Sequence, residues 1–272
     1  MSSQPIGLLD SGVGGLSILR EIRRLLPAED VVFIADQAHV PYGSRPLAEV
    51  REYSEGITRF LLERGAKLIV VACNTASAAA LRHLRSVFPG TPFVGMEPAV
   101  KPAAETTRTR VVGVLATPAT FQGELFASVV ERFAGGVRIL QQTLPGLVER
   151  IEDGDLDGPG SCAILEDALN PLLAQGVDTL VLACTHYPFV IPLIQQIAGP
   201  GVRVIDPSPA IARQTQRVLA ARGLAEPGGH DGTVTFLTSG DPSRLAAMAE
   251  RLIGERGPSR QARWEGLDLV QG

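Results

Sequence analysis

Lysine is almost missing from this chain: among 272 residues it occurs only as Lys67 and Lys101. Enzymes that use pyridoxal phosphate hold it through a lysine Schiff base. Lys67 starts a strand-like run at the end away from any cleft, and Lys101 lies in a helix start after Pro98-Ala99-Val100, so that chemistry is not expected. Cysteine is scarce as well. Three residues are an odd count, too few for a disulfide framework, and point to free thiols in a reducing compartment. No apolar run approaches the ~20 residues of a membrane helix. The opening Met-Ser-Ser-Gln-Pro leads straight into Ile6-Gly7-Leu8-Leu9, without the charged and apolar regions of a signal peptide, so a cytoplasmic location is expected. A surplus of positive charge is also lacking. With a net charge of −4 and arginines scattered over helix-like segments, no surface for nucleic acid is expected.

What the chain does have is alternation. Short apolar, β-branched runs recur at Ile6–Leu9, Val31–Ala35, Leu68–Ala72, Phe93–Met96, Val111–Leu115, Val137–Leu140, Leu180–Ala183, Val202–Ile205 and Val234–Leu237. Segments of helical spacing lie between most of them, among them Gly15–Leu26, Leu47–Arg64, Ser77–Val87, Phe121–Phe133 and Pro209–Arg222. Fully apolar strands alternating with helices predict parallel sheet covered on both faces. The tail after Gly254 is polar and is expected to be loosely held.

The pattern repeats itself. Gly65-Ala-Lys-Leu-Ile-Val-Val-Ala-Cys73-Asn74-Thr75 matches Gly176-Val-Asp-Thr-Leu-Val-Leu-Ala-Cys184-Thr185-His186, with the same spacing from glycine to cysteine. A second pair agrees: Ile6-Gly7-Leu8-Leu9-Asp10-Ser11 resembles Val112-Gly113-Val114-Leu115-Ala116-Thr117. The predicted fold is therefore α/β, with two pseudo-symmetric open parallel-type α/β domains and the active site in the cleft between them. Ligands of open α/β sheets bind beyond the carboxyl ends of the strands, and Asp10, Asp36, Cys73, Thr117, Cys184 and Asp206 all sit there.

Two matched thiols suit one kind of chemistry. Inverting a stereocentre by proton transfer requires a base on one face of a carbon and an acid on the other, and a thiol with an ordinary pKa near ~8.5 serves in either role. Cys73 and Cys184 are the candidate pair, with Asp10 to assist the first and His186 the second. Cys162, without polar company, reads as structural. The turn Asp10-Ser11-Gly12-Val13-Gly14-Gly15 opens a helix, so its backbone N–H groups favour an anion. Ser17 stands where a dinucleotide fingerprint requires its third glycine. Tyr42 and Gly43 in a second turn, with Asn74, Thr75, Thr117, Thr120 and Thr185, suit a small zwitterion. Asp36 and Glu152 are supporting acids. A hydrolase using Cys184 and His186, or a zinc site on Cys73, Cys184 and His186, would leave the repeat unexplained and the metal short of a fourth ligand. No metal and no cofactor are expected.

With these residues in place the chain resembles the bacterial glutamate racemases. The resemblance rests on Leu9-Asp10-Ser11-Gly12-Val13-Gly14-Gly15-Leu16, Val40-Pro41-Tyr42-Gly43, Ala72-Cys73-Asn74-Thr75-Ala76, Glu97-Pro98-Ala99-Val100-Lys101-Pro102, Ala116-Thr117-Pro118-Ala119-Thr120 and Ala183-Cys184-Thr185-His186-Tyr187-Pro188. It runs from residue 6 to about 224. It implies interconversion of L- and D-glutamate, supplying D-glutamate for peptidoglycan, with Cys73 deprotonating the D-enantiomer and Cys184 the L-enantiomer. It implies substrate contacts from Asp10, Ser11, Tyr42, Gly43, Asn74, Thr75, Thr185 and His186, and supporting roles for Asp36 and Glu152. It also implies an inserted second domain (98–207 within 1–97 plus 208–272) and a homodimer. Gln37 departs from the pattern, since the family commonly carries a smaller residue there, and the tail after Gly254 matches nothing in it. Left open are an aspartate or other amino-acid racemase of the same superfamily, and an added gyrase-inhibiting role.

Overall fold

The computed structural model describes residues 4–272, and the first three residues, part of the opening read above as free of a targeting signal, lie outside it. The chain begins with strand β1 (Ile6–Asp10), helix α1 (Leu16–Leu25), β2 (Val31–Ala35), α2 (Leu47–Glu63), β3 (Leu68–Val71), α3 (Asn74–Val87) and β4 (Phe93–Gly95). The middle segment comprises α4 (Val100–Thr106), β5 (Val111–Ala116), α5 (Pro118–Gln122), α6 (Glu124–Phe133), β6 (Arg138–Gln142), α7 (Leu147–Glu152), α8 (Pro159–Leu173), β7 (Thr179–Ala183), α9 (Ile191–Ala198) and β8 (Arg203–Ile205). It closes with α10 (Ser208–Arg222), β9 (Val234–Thr238), α11 (Pro242–Ile253), β10 (Ser259–Glu265) and β11 (Asp268–Gln271).

These strands form two sheets. One has the order β11-β10-β9-β2-β1-β3-β4, the other β6-β5-β7-β8. The repeat read from the sequence is visible in that order, because β2-β1-β3-β4 and β6-β5-β7-β8 are the same arrangement. β1 corresponds to β5, and β3, which leads to Cys73, corresponds to β7, which leads to Cys184. Every pairing is parallel except β10 with β11. The central strands are buried along their whole length, as a sheet covered on both faces requires.

Period-two alternation decides which core each side chain enters. Ile6 and Leu8 of β1 join a cluster with α1, α10 and α11, while Leu9 points into a second cluster with α2 and α3. The first cluster continues without a break into the other lobe, through Leu115, Leu147, Ile151, Leu165 and Leu182. One apolar core therefore joins the two sheets on one side, and both sets of strand ends meet at a common seam.

Two expectations are corrected. The tail after Gly254 is no loose end: Ser259, Arg260 and Gln261 pair in parallel with Phe236, Leu237 and Thr238, and β11 folds back on β10. Its alternation is polar because most of its side chains face solvent, with Ala262 and Leu269 turned into the core. The segment Phe121–Phe133 is two helices rather than one. Gly123, in extended conformation, separates them, and a Cβ there would stand 2.6 Å from that of Ala78. Among the described residues no helix is long and apolar enough to cross a membrane.

Candidate active site

Each cysteine stands just past a buried strand, Cys73 two residues beyond β3 and Cys184 one beyond β7, where the chain must turn. Cys73 is the N-cap of α3, and its sulfur accepts a hydrogen bond from the Ala76 N–H at 3.4 Å. Thr117 caps α5 in the turn after β5. Cys184 is followed by a tight turn into a 3-10 segment, Tyr187–Val190. Cys73 and Cys184 both line one small cavity, together with Ser11, Tyr42, Gly43, Asn74, Thr75, Thr117, Thr185 and His186.

Two residues predicted to touch substrate, Asp10 and Thr120, stand behind this lining. Thr120 completes a trio of hydroxyls with Thr75 and Thr117, all within 3.2 Å of one another. Thr75 comes from one lobe and the other two from the second, so the trio spans the cleft. Gly43 approaches the same place so closely that a Cβ would lie 2.6 Å from the Thr117 Cβ.

The glycine-rich turn does bind anions, but they are the protein's own carboxylates. Gly12 and Gly15 N–H both donate to Asp10 Oδ2 at 3.0 Å, and Val13 N–H donates to Glu152 Oε1 at 2.6 Å. The glycines are needed for contact. A Cβ on Gly12 would overlap the Glu152 carboxylate, and one on Gly14 would stand 2.5 Å from His186 Nδ1.

Asp10 is fully buried and also accepts from Thr185 Oγ1 of the other lobe at 3.3 Å. Burial pushes its carboxyl up to about 6, with His186 and the two backbone N–H groups pulling the other way. Cys73 is pushed up further, first by burial and then by the negative charge of Asp10, so it rests as a thiol at neutral pH. Within hydrogen-bond reach its sulfur meets the Ala76 N–H and, at 4.0 Å, the Ser11 hydroxyl. Asp10 acts on it through space.

The second cysteine has a different environment. Cys184 Sγ lies 3.8 Å from His186 Nδ1, and His186 Nε2 lies 2.7 Å from Glu152 Oε1. Burial alone would lower the His186 pKa. Its hydrogen bonds to Cys184 and Glu152, and their charges, outweigh that and hold it well above 6.5. Burial likewise pushes Glu152 up, while the His186 contact and the Val13 N–H bring it below the usual carboxylate range. A protonated imidazole is thus held between a sulfur and a carboxylate.

Asn74 is buried, yet neither its amide oxygen nor its amide nitrogen has a hydrogen-bond partner among the described residues. Buried polar groups are rarely left this way, and this one faces the cavity. Asp36 does not reach the cavity. Its carboxylate accepts from Tyr42 Oη, His39 Nδ1, Ser239 Oγ and Trp264 Nε1, all at 2.6–2.8 Å, and so fixes the Tyr42 ring in the wall. Asp206 is not part of the site, since its carboxylate accepts the Ser208 N–H at the start of α10. Lys67 is tied to Glu29 and Glu226 at the far end of the sheet. Among the described residues no cluster of three or more His, Cys, Asp or Glu side chains is arranged to hold a metal ion.

The sequence profile of the Asp/Glu/hydantoin racemases matches residues 6–215. The chain belongs to that family. A glutamate racemase from Roseiflexus sp. strain RS-1 is 52% identical to it over 252 residues, covering 92% of this chain and 93% of the relative. The crystal structure of a glutamate racemase from Bacillus anthracis superposes with a TM-score of 0.86 at 30% identity, over 98% of this chain and 99% of that one. That of Escherichia coli glutamate racemase, solved with L-glutamate and the activator UDP-MurNAc-Ala, gives 0.84 at 32% identity, over 97% and 100%. The family's paired α/β lobes are the two sheets described above.

Sequence reasoning missed some of the site. Val148 on α7 lines the cavity, and Ser17 bonds to the Thr185 carbonyl across the seam at 3.0 Å. Only Ser17 carried a signal, as a polar residue on the buried face of an amphipathic helix.

Proposed function

We propose that this protein is a glutamate racemase that interconverts L- and D-glutamate without a cofactor, by a two-base proton transfer at Cα. The observation that carries the reading is the pair of thiols at equivalent strand ends, Cys73 and Cys184, lining one small cavity in contrasting electrostatic settings. Fifty per cent identity to curated glutamate racemases supports the choice of substrate. In the L-to-D direction Cys184, as thiolate beside the His186 imidazolium, takes the Cα proton and becomes a thiol. The electron pair of the broken C–H bond stays on the carbon, spread into the substrate carboxylate. Cys73 gives its thiol proton to the opposite face and is left as thiolate, and exchange with solvent resets both sulfurs. In the D-to-L direction the roles exchange. Asp10 tunes Cys73, while Glu152 holds His186 in place.

Asn74, with both amide atoms free, and the hydroxyls of Ser11, Thr75, Thr117 and Thr185 hold the substrate's carboxylates and ammonium. Tyr42 and Gly43 close the wall, Thr120 supports Thr117, and Asp36 fixes Tyr42. The reading includes an inserted lobe at 98–207 within 1–97 plus 208–272, a role in peptidoglycan supply, a cytoplasmic location and a homodimer. It includes no partnership with nucleic acid.

The test is circular dichroism of L- or D-glutamate incubated with purified protein and no added cofactor, with aspartate in parallel. Racemisation of glutamate far faster than aspartate is expected, and its loss in Cys73→Ala and Cys184→Ala. Aspartate turned over as fast would assign the chain to the sister substrate. Unchanged racemisation in either variant refutes the two-base assignment.

A further inference from the structure

Gln37, the residue that departs from the family pattern, lies directly after Asp36 at the end of β2, and its amide has a defined orientation. Thr238 Oγ1 accepts the Gly240 N–H at 2.9 Å and donates its own proton to Gln37 Oε1 at 2.8 Å. The oxygen of the Gln37 amide is thereby fixed toward Thr238, and the nitrogen toward the other lobe. That nitrogen donates to Glu152 Oε2 at 3.2 Å. The socket is fitted to the side chain, because a Cβ on Gly240 would lie 2.9 Å from the Gln37 Cβ and 3.2 Å from Oε1.

Glu152 carries His186 on its other oxygen, together with the Val13 N–H. A continuous line of hydrogen bonds therefore runs from Gly240 and Thr238 in one lobe, through Gln37, to Glu152, His186 and Cys184 in the other. We propose that Gln37 is a positioning residue for the reaction: its amide fixes the Glu152 carboxylate across the seam, and through it the imidazole that serves Cys184. This rests on the two-base reading above. The donated bond also favours the ionised form of Glu152, so Gln37 is one of the groups that lower its pKa. The other charged groups around Glu152 are His186, Asp10, Glu149, Asp153, Arg244 and Asp241. Arg244 donates to the Glu152 backbone carbonyl, not to its carboxylate, so it does not substitute for the amide.

Gln37→Met keeps the length of the side chain and removes the amide. The enantiomers have equal free energy, so kcat/KM must fall by the same factor in both directions, and about tenfold is expected for one lost bond to a charged group. The informative readout is the isotope effect with Cα-deuterated substrate. If the Cys184 side is weakened, proton transfer at Cys184 becomes more rate-limiting. The effect on kcat/KM then rises for L-glutamate, whose deuterium Cys184 removes, and falls for D-glutamate, whose deuterium Cys73 removes. A general loosening of the fold would not divide the two directions in this way.

Gln37→Glu supplies the second arm and guards against a poorly folded methionine variant. Its carboxylate still accepts from Thr238 but faces Glu152 with like charge, and it can donate only when protonated. Its kcat/KM relative to wild type should recover as the pH is lowered from 9 to 6. Wild-type kcat/KM and isotope effects in Gln37→Met, or a Gln37→Glu deficit that does not change with pH, overturn the proposal. A wild-type protein that exchanges no Cα proton of glutamate refutes the underlying reading instead, and that result appears before any variant is made.

Discussion

Replacing Asp10 with Asn should make the protein more stable and less active. The carboxyl is completely buried and burial raises its pKa from 3.8 to about 6. At ~1.4 kcal/mol per tenfold change, the ionised form is about 3 kcal/mol less favourable in the folded chain than in the unfolded one. Between those two pH values the folded state binds more protons than the unfolded state. Wild-type stability therefore falls as pH rises through that window, and the penalty is complete above it. Asparagine is never charged, and its amide oxygen can still accept from Gly12 and Gly15. Urea titrations at pH 8 should show Asp10→Asn up to about 3 kcal/mol more stable than wild type, with the difference shrinking toward zero near pH 4. Racemisation at pH 8 should drop at least tenfold, because Cys73 loses the negative charge that tunes it. Equal or lower stability at pH 8, or a gap that does not change with pH, would show that burial of this charge is not what the fold tolerates for function.

Three further outcomes follow from particular contacts. Gly14→Ala places a methyl 2.5 Å from His186 Nδ1 and 2.6 Å from Thr185 Oγ1, so kcat/KM should fall about a hundredfold with unchanged far-ultraviolet dichroism; a loss under threefold would contradict the packing. Asn74→Ala removes an amide with no protein partner, so KM for glutamate should rise tenfold or more while the urea midpoint stays or increases. A clear drop in that midpoint would mean the amide is bonded within the protein. Lys67→Met leaves Glu29 buried without its partner at 2.7 Å and should destabilise by roughly 3–5 kcal/mol, with kcat/KM unchanged at low temperature. A loss under 1 kcal/mol would show the pair to be dispensable.

Much of the fold was legible because parallel strands buried on both faces write themselves as unbroken apolar runs. Val31–Ala35 was read with both ends in place, and the internal repeat anticipated the matching strand orders. The strands that escaped, β10 and β11, lie at a sheet edge, where one face meets water and a run such as Ser-Arg-Gln-Ala-Arg-Trp-Glu carries little apolar signal. Helix α7 escaped because six residues make too short a window for periodicity. In the site, residue types at strand ends pointed to the cavity wall, from Ser11 and Asn74 to Thr185 and His186. What could not be read was who bonds to whom. The glycine-rich turn looked like a seat for substrate, but its N–H groups are taken by Asp10 and Glu152, partners that are distant in sequence or arise from the side chain just before the turn.

The bond from Trp264 to Asp36 makes the last strands a condition of the cleft's shape. A chain still being synthesised, with both cysteines and their helices already folded, lacks the indole that helps hold Asp36, and through it the phenol of Tyr42. Such a chain would have both acid–base groups in hand and an unfinished pocket wall, so the shape of the cavity depends on a strand that moves no proton.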